Sequence, residues 1–255
     1  MRILVTGYKG FIASNMIRAL ADHDITTYEW GETWPGVLDY DWVIHMGAIS
    51  ATTERDIDKV FKQNYEFSVM VFDECKTFGV NLQYSSSASV YGQGTEFKET
   101  SLVDPQSPYA WSKYLFERYA QQHQGGNIVQ GFRYFNVYGP GEEHKGNQAS
   151  PFSQFKLQAE VTGAVKLFEN SDQYKRDFVH VDQVTDTHKR FFNVRESGIW
   201  NIGTGTTMSF KEVALQFSDN LIEVPMPEVL KGSYQKYTCA DMTKTNNTLS
   251  INNSL

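Results

Sequence analysis

The sequence predicts an α/β fold: a doubly wound parallel sheet with helices on both faces and a small mixed region at the C-terminal end. Short β-branched runs alternate with segments of helical apolar spacing through roughly the first 140 residues. A glycine-rich turn stands directly between the first such run and the first helix. Hydrophobic residues at 40% and charged ones at 21% supply a sizeable core and argue against a disordered chain.

Taken in order, Arg2–Thr6 reads as a strand, and Ser14–Asp22 carries Met16, Ile17, Leu20 and Ala21 at helical spacing. Ile25–Glu29 and Trp42–Met46 read as two further strands, followed by an amphipathic helix over Tyr65–Phe78. Val80–Ser85 is a strand, Pro108–Gln122 a helix, and Ile128–Tyr134 a strand ending near Asn136. Beyond residue 140, glycines, prolines and aromatics break the pattern, as expected of a substrate-capping region of loops and small helices. The last stretch, Thr243–Leu255, is rich in Asn, Ser and Thr and is expected to fray. The expected division is therefore 1–140 and 141–255.

A net charge of −7 disfavours a general nucleic-acid or anionic-membrane binder, since both need a basic face. It leaves room for a local basic pocket. Cys75 and Cys239 make no disulfide framework, and no Cys/His cluster has zinc spacing, so no metal is expected. His144 and His180 read as packing or hydrogen-bonding residues. No apolar run approaches the ~18 residues of a membrane span, and the N-terminal run is too short for a signal peptide. These features predict a soluble protein of a reducing, cytoplasmic compartment.

Gly7-Tyr8-Lys9-Gly10-Phe11-Ile12-Ala13 leaves the first strand and opens the first helix. Gly7 permits the tight turn, Gly10 lets backbone approach a pyrophosphate, and Ala13 allows close helix–strand packing. The helix N-terminus offers free N–H groups to phosphates. Domain 1–140 is thus expected to bind a dinucleotide. Glu29, about twenty residues on, can hydrogen-bond the ribose hydroxyls of NAD. No Lys or Arg occurs between Ala19 and Glu54, so Lys9 is the one basic residue placed to meet a 2′-phosphate. Tyr109 and Lys113 stand four residues apart on one helix face. A neighbouring ammonium lowers a phenol's pKa toward the range of a general base. Ser85, Ser86 and Ser87 end the preceding strand, where open α/β sheets hold their ligands.

The strings VTGYKGFIASN, DWVIHMGA, SSSASVYG, SPYAWSK, RYFNVYGP, RDFVHV and WNIGTGTTMSF resemble the extended short-chain dehydrogenase/reductases of the nucleotide-sugar epimerase group. Within that group, GFRYFNVYGPGEEHKGNQAS, KLFENSDQYKRDFVHV and LKGSYQKYTCADMT resemble the ADP-L-glycero-D-manno-heptose 6-epimerases. The resemblance implies a Rossmann-like sheet, here lacking one edge strand. Only Gly31–Tyr40 separates the second strand from the next, which leaves no room for the usual helix and third strand. It also implies final helices after Asp241, which this sequence does not announce.

Carried over by resemblance, Phe11 and Ile12 sit at the pyrophosphate turn. Met46, Gly47, Ala48 and Ser50 line the cofactor groove, with Asn64 following from the next helix. Ser87 positions the reacting hydroxyl, Tyr109 is an acid/base, and Lys113 holds Tyr109 and the nicotinamide ribose. Asn136 and Val137 lie between cofactor and substrate, and Lys145 is a second acid/base. Asn147, Gln154, Phe168, Glu169, Asn170, Ser171, Arg176 and Tyr234 contact substrate. Arg176 could independently clamp a pyrophosphate in bidentate fashion. Asn147 and Gln154 depart from the family's Ser and His, which bears on the choice of sugar.

The resemblance points to NADP, while Glu29 and the stretch without basic residues favour NAD. A dinucleotide bound with low discrimination is expected. The implied activity is epimerisation of a nucleotide-linked sugar, most closely an ADP-heptose, by transient oxidation to a ketone and re-reduction on the opposite face. Another nucleotide-sugar epimerase or epimerase-reductase is the alternative. A dehydratase would need an Asp–Glu pair where Ala88 and Ser89 stand. A non-catalytic cofactor-binding regulator is the other alternative: it would normally lack Tyr109 or Lys113, yet a shortened domain could bind without turning over. The expected partners are a small nucleotide sugar and further copies of the chain, with no nucleic acid and no membrane.

Overall fold

The computed structural model describes residues 1–51, 54–227 and 235–252. In chain order the elements begin β1 (Arg2–Thr6), α1 (Phe11–Ala19), β2 (Asp24–Tyr28), β3 (Trp42–His45), α2 (Ile57–Val60) and α3 (Phe67–Phe78). They continue with β4 (Asn81–Ser87), α4 (Pro108–Gln122), β5 (Val129–Tyr134), β6 (Asn136–Tyr138), α5 (Pro151–Thr162) and β7 (Val165–Phe168). Next come β8 (Lys175–Arg176), β9 (Phe178–His180), α6 (Val181–Phe191), β10 (Gly198–Ile202), β11 (Met208–Ser209) and α7 (Phe210–Ala214). β12 (Leu221–Val224), β13 (Tyr237–Thr238) and α8 (Thr243–Asn252) end the series.

The main sheet is parallel, in the order β10-β5-β4-β3-β1-β2. Strand alternation divides its core between two faces. Leu4, Val43, Leu82 and Tyr84 pack with α3 and α4 through Val71, Phe72 and Phe116. Ile3, Val5 and Ile44 point the other way, onto Ala13 and Met16 of α1 and Leu20 at its C-terminal cap. The expected absence of an edge strand is borne out: β2 borders the sheet, and among the described residues no strand lies beyond it. Trp34, Val37 and Tyr40 of the short connection pack on the α3–α4 face instead.

Three expectations need correction. The helix read as Tyr65–Phe78 starts earlier, at Ile57, and runs through a π-helical turn at Phe61–Glu66. One extra residue in the helical ladder leaves no apolar-period signal. The chain beyond residue 140 is more regular than its composition suggests. α6 buries Val181, Val184, Thr185, His188 and Phe191, and β10 returns to pair with β5, so the main sheet crosses the division at residue 140. Last, 243–252 is a helix and does not fray: Thr245, Thr248 and Leu249 are buried, and Trp200 donates to Thr248 Oγ1 at 3.0 Å. Tertiary burial overrides poor helix propensity there.

The remaining strands form small sheets: β11-β8-β13, with one antiparallel and one parallel pairing, and the parallel pairs β12-β7 and β6-β9. Asp177, fully buried, joins them. Its carboxylate accepts from Thr204 N and Oγ1 at 2.8 Å, Gly205 N at 2.9 Å and Ala240 N at 3.0 Å. No described helix is long and apolar enough to cross a membrane.

Leu249 is 5% exposed against Trp200, Phe191 and Ile202. Leu249→Ala is expected to cost about 2–5 kcal/mol of unfolding free energy, read from the midpoint of a urea titration. A variant of wild-type stability would mean that α8 contributes nothing to the core.

Candidate functional site

The crevice above the sheet opens where the chain leaves β1 and β3 in opposite directions, the usual ligand position in such sheets. Gly7 has φ +74°, and a Cβ there would stand 2.5 Å from Gly47 Cα, so only glycine lets the two turns meet. Gly10 N donates to Gly7 O at 2.9 Å, and α1 starts with no side-chain cap, which leaves its first N–H groups for a ligand. Thr6 Oγ1 accepts from Gly47 N at 3.0 Å and is bonded to His45 Nδ1 at 2.8 Å. Burial drives the His45 pKa down to about 3, and the nearby Lys113 adds to this, so the ring stays neutral.

Asn64 is placed by the π-helical turn. Its Nδ2 donates to Ile49 O at 2.9 Å and Ser112 Oγ at 3.2 Å, and its Oδ1 accepts from Ile49 N at 2.7 Å. It therefore staples the loop after β3 to α4.

A small pocket of about 80 Å³ lies between the turns after β1, β2 and β3, walled by Tyr28, Glu29, Trp30, Gly47, Ala48 and Phe67. Glu29 Oε2 accepts from Lys9 N at 3.2 Å. Lys9 Nζ lies 3.8 Å from Glu32 Oε1, and Glu32 also accepts from Tyr8 at 3.1 Å.

Next to it lies a cavity of about 420 Å³. Gly7, Gly10, Phe11 and Ile12 form one wall, and Met46, Ala48 and Ser50 another. Tyr109 and Lys113 of α4 face Lys145, which comes from the 3-10 turn Glu143–Gln148. Lys113 Nζ donates to Ser85 O at 2.9 Å and Ser85 Oγ at 3.3 Å, and lies 5.9 Å from the Tyr109 ring centre. Burial lowers the Lys113 pKa to about 8, opposed by the Glu117 carboxylate. Burial raises the Tyr109 pKa, and its hydrogen bond to Ser87 works against that rise. Lys145 Nζ sits 5.5 Å from the Phe11 ring centre, and its pKa is lowered by burial, with Glu142 opposing.

Glu142, 1% exposed, orders the loop that carries Lys145: it accepts from Gly139 N at 3.2 Å and from Ser150 N and Oγ at 2.6 Å. Ser150 caps α5. Asn15 of α1 grips the same loop through Pro140 O at 3.1 Å.

A third cavity, about 280 Å³ and mostly apolar, lies beyond α5, walled by Gln154, Phe155, Phe168, Ser171, Tyr174 and Phe210 among others. Gln154 Nε2 donates to Ala149 O at 2.6 Å, and the buried Ser171 hydroxyl has no hydrogen-bond partner among the described residues. Glu169 and Asn170 turn outward at the surface, with Asn170 in the left-handed region at φ +59°. Arg176 is buried behind Phe210, its guanidinium donating to Lys175 O at 2.9 Å and Gln235 O at 2.5 Å. Asn136 and Val137 lie on β6, two and three residues past Tyr134, which lines the large cavity. Tyr234 and the side chain of Asn147 lie outside the described residues.

Sequence reasoning missed Tyr134 and Gln148 on the large cavity, and the buried Glu117, Arg133 and Glu142 around it. Glu117 lies one further helical step from Lys113, a signal the Tyr–Lys spacing already contained. Among the described residues no cluster could hold a metal ion.

Several solved structures share this fold. An ADP-L-glycero-D-manno-heptose-6-epimerase from Helicobacter pylori aligns with a TM-score of 0.86 at 24% identity, over 98% of this chain and 90% of the other. A UDP-N-acetylglucosamine 4-epimerase from Methanobrevibacter ruminantium, in complex with UDP-N-acetylmuramic acid, gives 0.86 at 22% identity, over 98% and 91%. A UDP-glucose 4-epimerase from Thermotoga maritima, with UDP-glucose, gives 0.84 at 23% identity, over 98% and 93%. The description of the NAD dependent epimerase/dehydratase family matches residues 35–203. That match takes in α4 with its Tyr–Lys pair and more than half of the sequence, and the chain belongs to the NAD dependent epimerase/dehydratase family.

Proposed function

We propose that the protein epimerises a nucleotide-linked sugar, an ADP-glycero-manno-heptose, at a carbon it transiently oxidises. The carrying observation is that Tyr109 and Lys145 face one cavity from different elements, with the glycine cradle beside them. The cradle fits a dinucleotide: a Cβ at Gly7 would close it, and the α1 N–H groups stand open. When bound there, a nicotinamide dinucleotide supplies a hydride acceptor and donor, and in its oxidised form a positive charge that favours a phenolate at Tyr109.

In this reading Gly7, Gly10, Phe11 and Ile12 hold the pyrophosphate, with Met46, Gly47, Ala48, Ser50 and Val137 along the groove. Asn64 acts by fixing that groove. Tyr109 takes the proton of the sugar hydroxyl, Ser87 orients that hydroxyl, and Lys113 keeps its positive charge beside the phenol ring. The ketone then turns over in the cavity. Lys145, across from Tyr109, returns a proton when the opposite face is reduced. A two-sided acid/base set is what an epimerase needs and a one-way dehydrogenase does not. The apolar cavity at Phe168 and Ser171 takes the nucleobase in this reading, with the Ser171 hydroxyl, unpartnered among the described residues, available to it. Arg176 orders the loop behind Phe210 instead of clamping a pyrophosphate.

For the cofactor, we propose NAD. Glu29 and Glu32 flank Lys9, whose ammonium is already beside Glu32, so a 2′-phosphate would meet two carboxylates and no free cation pair. A second reading, another nucleotide sugar as substrate, is favoured by Gln154, whose amide is engaged by Ala149 O. Mass spectrometry of small molecules released from the denatured protein decides between the sugars.

Tyr109→Phe is expected to lower turnover by about 10²–10⁴-fold, with circular dichroism and cofactor affinity unchanged. Near-normal epimerisation would sink the mechanism. Lys145→Met is expected to abolish epimerisation while still reducing cofactor once, seen as nicotinamide absorbance in a single turnover beside analysis of the sugar. Wild-type epimerisation by that variant would return Lys145 to a surface role. Calorimetric titration is expected to show NAD binding at least about tenfold more tightly than NADP, roughly 1.4 kcal/mol. Equal or reversed affinities would contradict the assignment.

A further inference from the structure

Helix α4 presents Tyr109, Lys113 and Glu117 at four-residue spacing along one face. Three successive serines at the end of β4 meet them. Ser87 bonds Tyr109, Ser85 takes Lys113, and Ser86 donates to Glu117 Oε1 at 2.5 Å. Glu117 is 1% exposed and Arg133, opposite Ser86 in the β4–β5 register, is 4% exposed. Arg133 donates from Nε to Glu117 Oε1 at 2.9 Å and from Nη2 to Oε2 at 2.7 Å. Its guanidinium lies 4.8 Å from the Tyr91 ring centre.

A buried ion pair contributes little net stability over well-packed apolar residues, because desolvation offsets the attraction. This pair lies directly beneath the Tyr109–Lys113 set, so its charges act on that set through a dry interior. The other titratable groups around Lys113 are His45 from β3, Tyr134 from β5, Tyr91 from the turn after β4, and His144 and Lys145 across the cavity. His45 is neutral, and Arg133 is a cation that would repel the Lys113 ammonium if unpaired.

We propose that Glu117 is a positioning residue for the reaction. Through Ser86 it fixes the strand end on which Ser85 and Ser87 hold Lys113 and Tyr109, and by cancelling Arg133 it keeps Lys113 an ammonium. This inference rests on Tyr109 and Lys113 being the working pair, which Tyr109→Phe tests separately.

The test is the pH profile of cofactor reduction in single turnover, using whichever nucleotide sugar the wild-type enzyme oxidises, so a wrong choice of sugar leaves it intact. Tyr109 must be deprotonated on the acid limb and Lys113 protonated on the alkaline limb. Removing a buried negative charge lowers both pKa values. Glu117→Gln is expected to move both limbs to lower pH, the alkaline one by about one unit. Adding Arg133→Met removes the unpaired cation and is expected to bring the limbs back to within about 0.3 unit of wild type. Limbs that stay in place in E117Q while the rate falls would mean a purely structural role and overturn the proposal, as would a double variant that keeps the shift. Should E117Q not fold, Glu117→Asp keeps the charge but draws it back from Ser86. It is expected to leave the limbs in place and lower kcat at least about tenfold at unchanged cofactor affinity, and wild-type kcat in E117D would overturn the proposal.

Discussion

The turns after β1 and β3 meet through two glycines, and a single methyl group on Gly7 would collide with the Gly47 backbone. That contact holds the two strand-end turns together at the base of the crevice, beside the uncapped start of α1. Thr6, His45 and Ser68 stitch the same two strands to α3 below the glycines, with His45 bonded at 2.8 Å on each ring nitrogen. The stitch works because the ring is neutral: a protonated His45 would bring an unpaired charge into a site that burial has made dry.

Helix α4 adds Tyr109 and Lys113 to the wall of the cavity above that cradle. Ser107 caps it and Pro108 starts it, which sets where its first turn lies. From that start, Tyr109 and Lys113 reach the end of β4, and Asn64 ties Ser112 to the loop after β3. Burial pulls Lys113 down and pushes Tyr109 up, so their pKa values, nearly equal in water, are driven apart by the dry interior that both groups share. Such a pair responds strongly to any charge placed beside it.

Two buried carboxylates organise the second half of the chain. Glu142 holds the Lys145 loop to the cap of α5, while Asp177 gathers the ends of the small sheets around β8. Each accepts several N–H or O–H donors, so neither needs a cation to be satisfied in the interior.

By itself the sequence determined the parallel sheet, the missing edge strand, the glycine cradle and the Tyr109–Lys113 pair. These are properties of short range: alternation along a strand, a turn that needs glycine, and four-residue spacing on a helix. Helix α4 was legible to the residue because its Ser-Pro start is written locally. What only the tertiary structure decided are contacts between distant segments. Asn15 reaches Pro140, Arg133 closes on Glu117 beneath Lys113, Asn64 is spent on Ile49, and Arg176 turns to backbone carbonyls behind Phe210. The helix at 243–252 belongs with these, since its composition favours coil and only burial against Trp200 makes it helical. A side chain's type shows what it can bond. Which partner it meets depends on where the rest of the chain has packed.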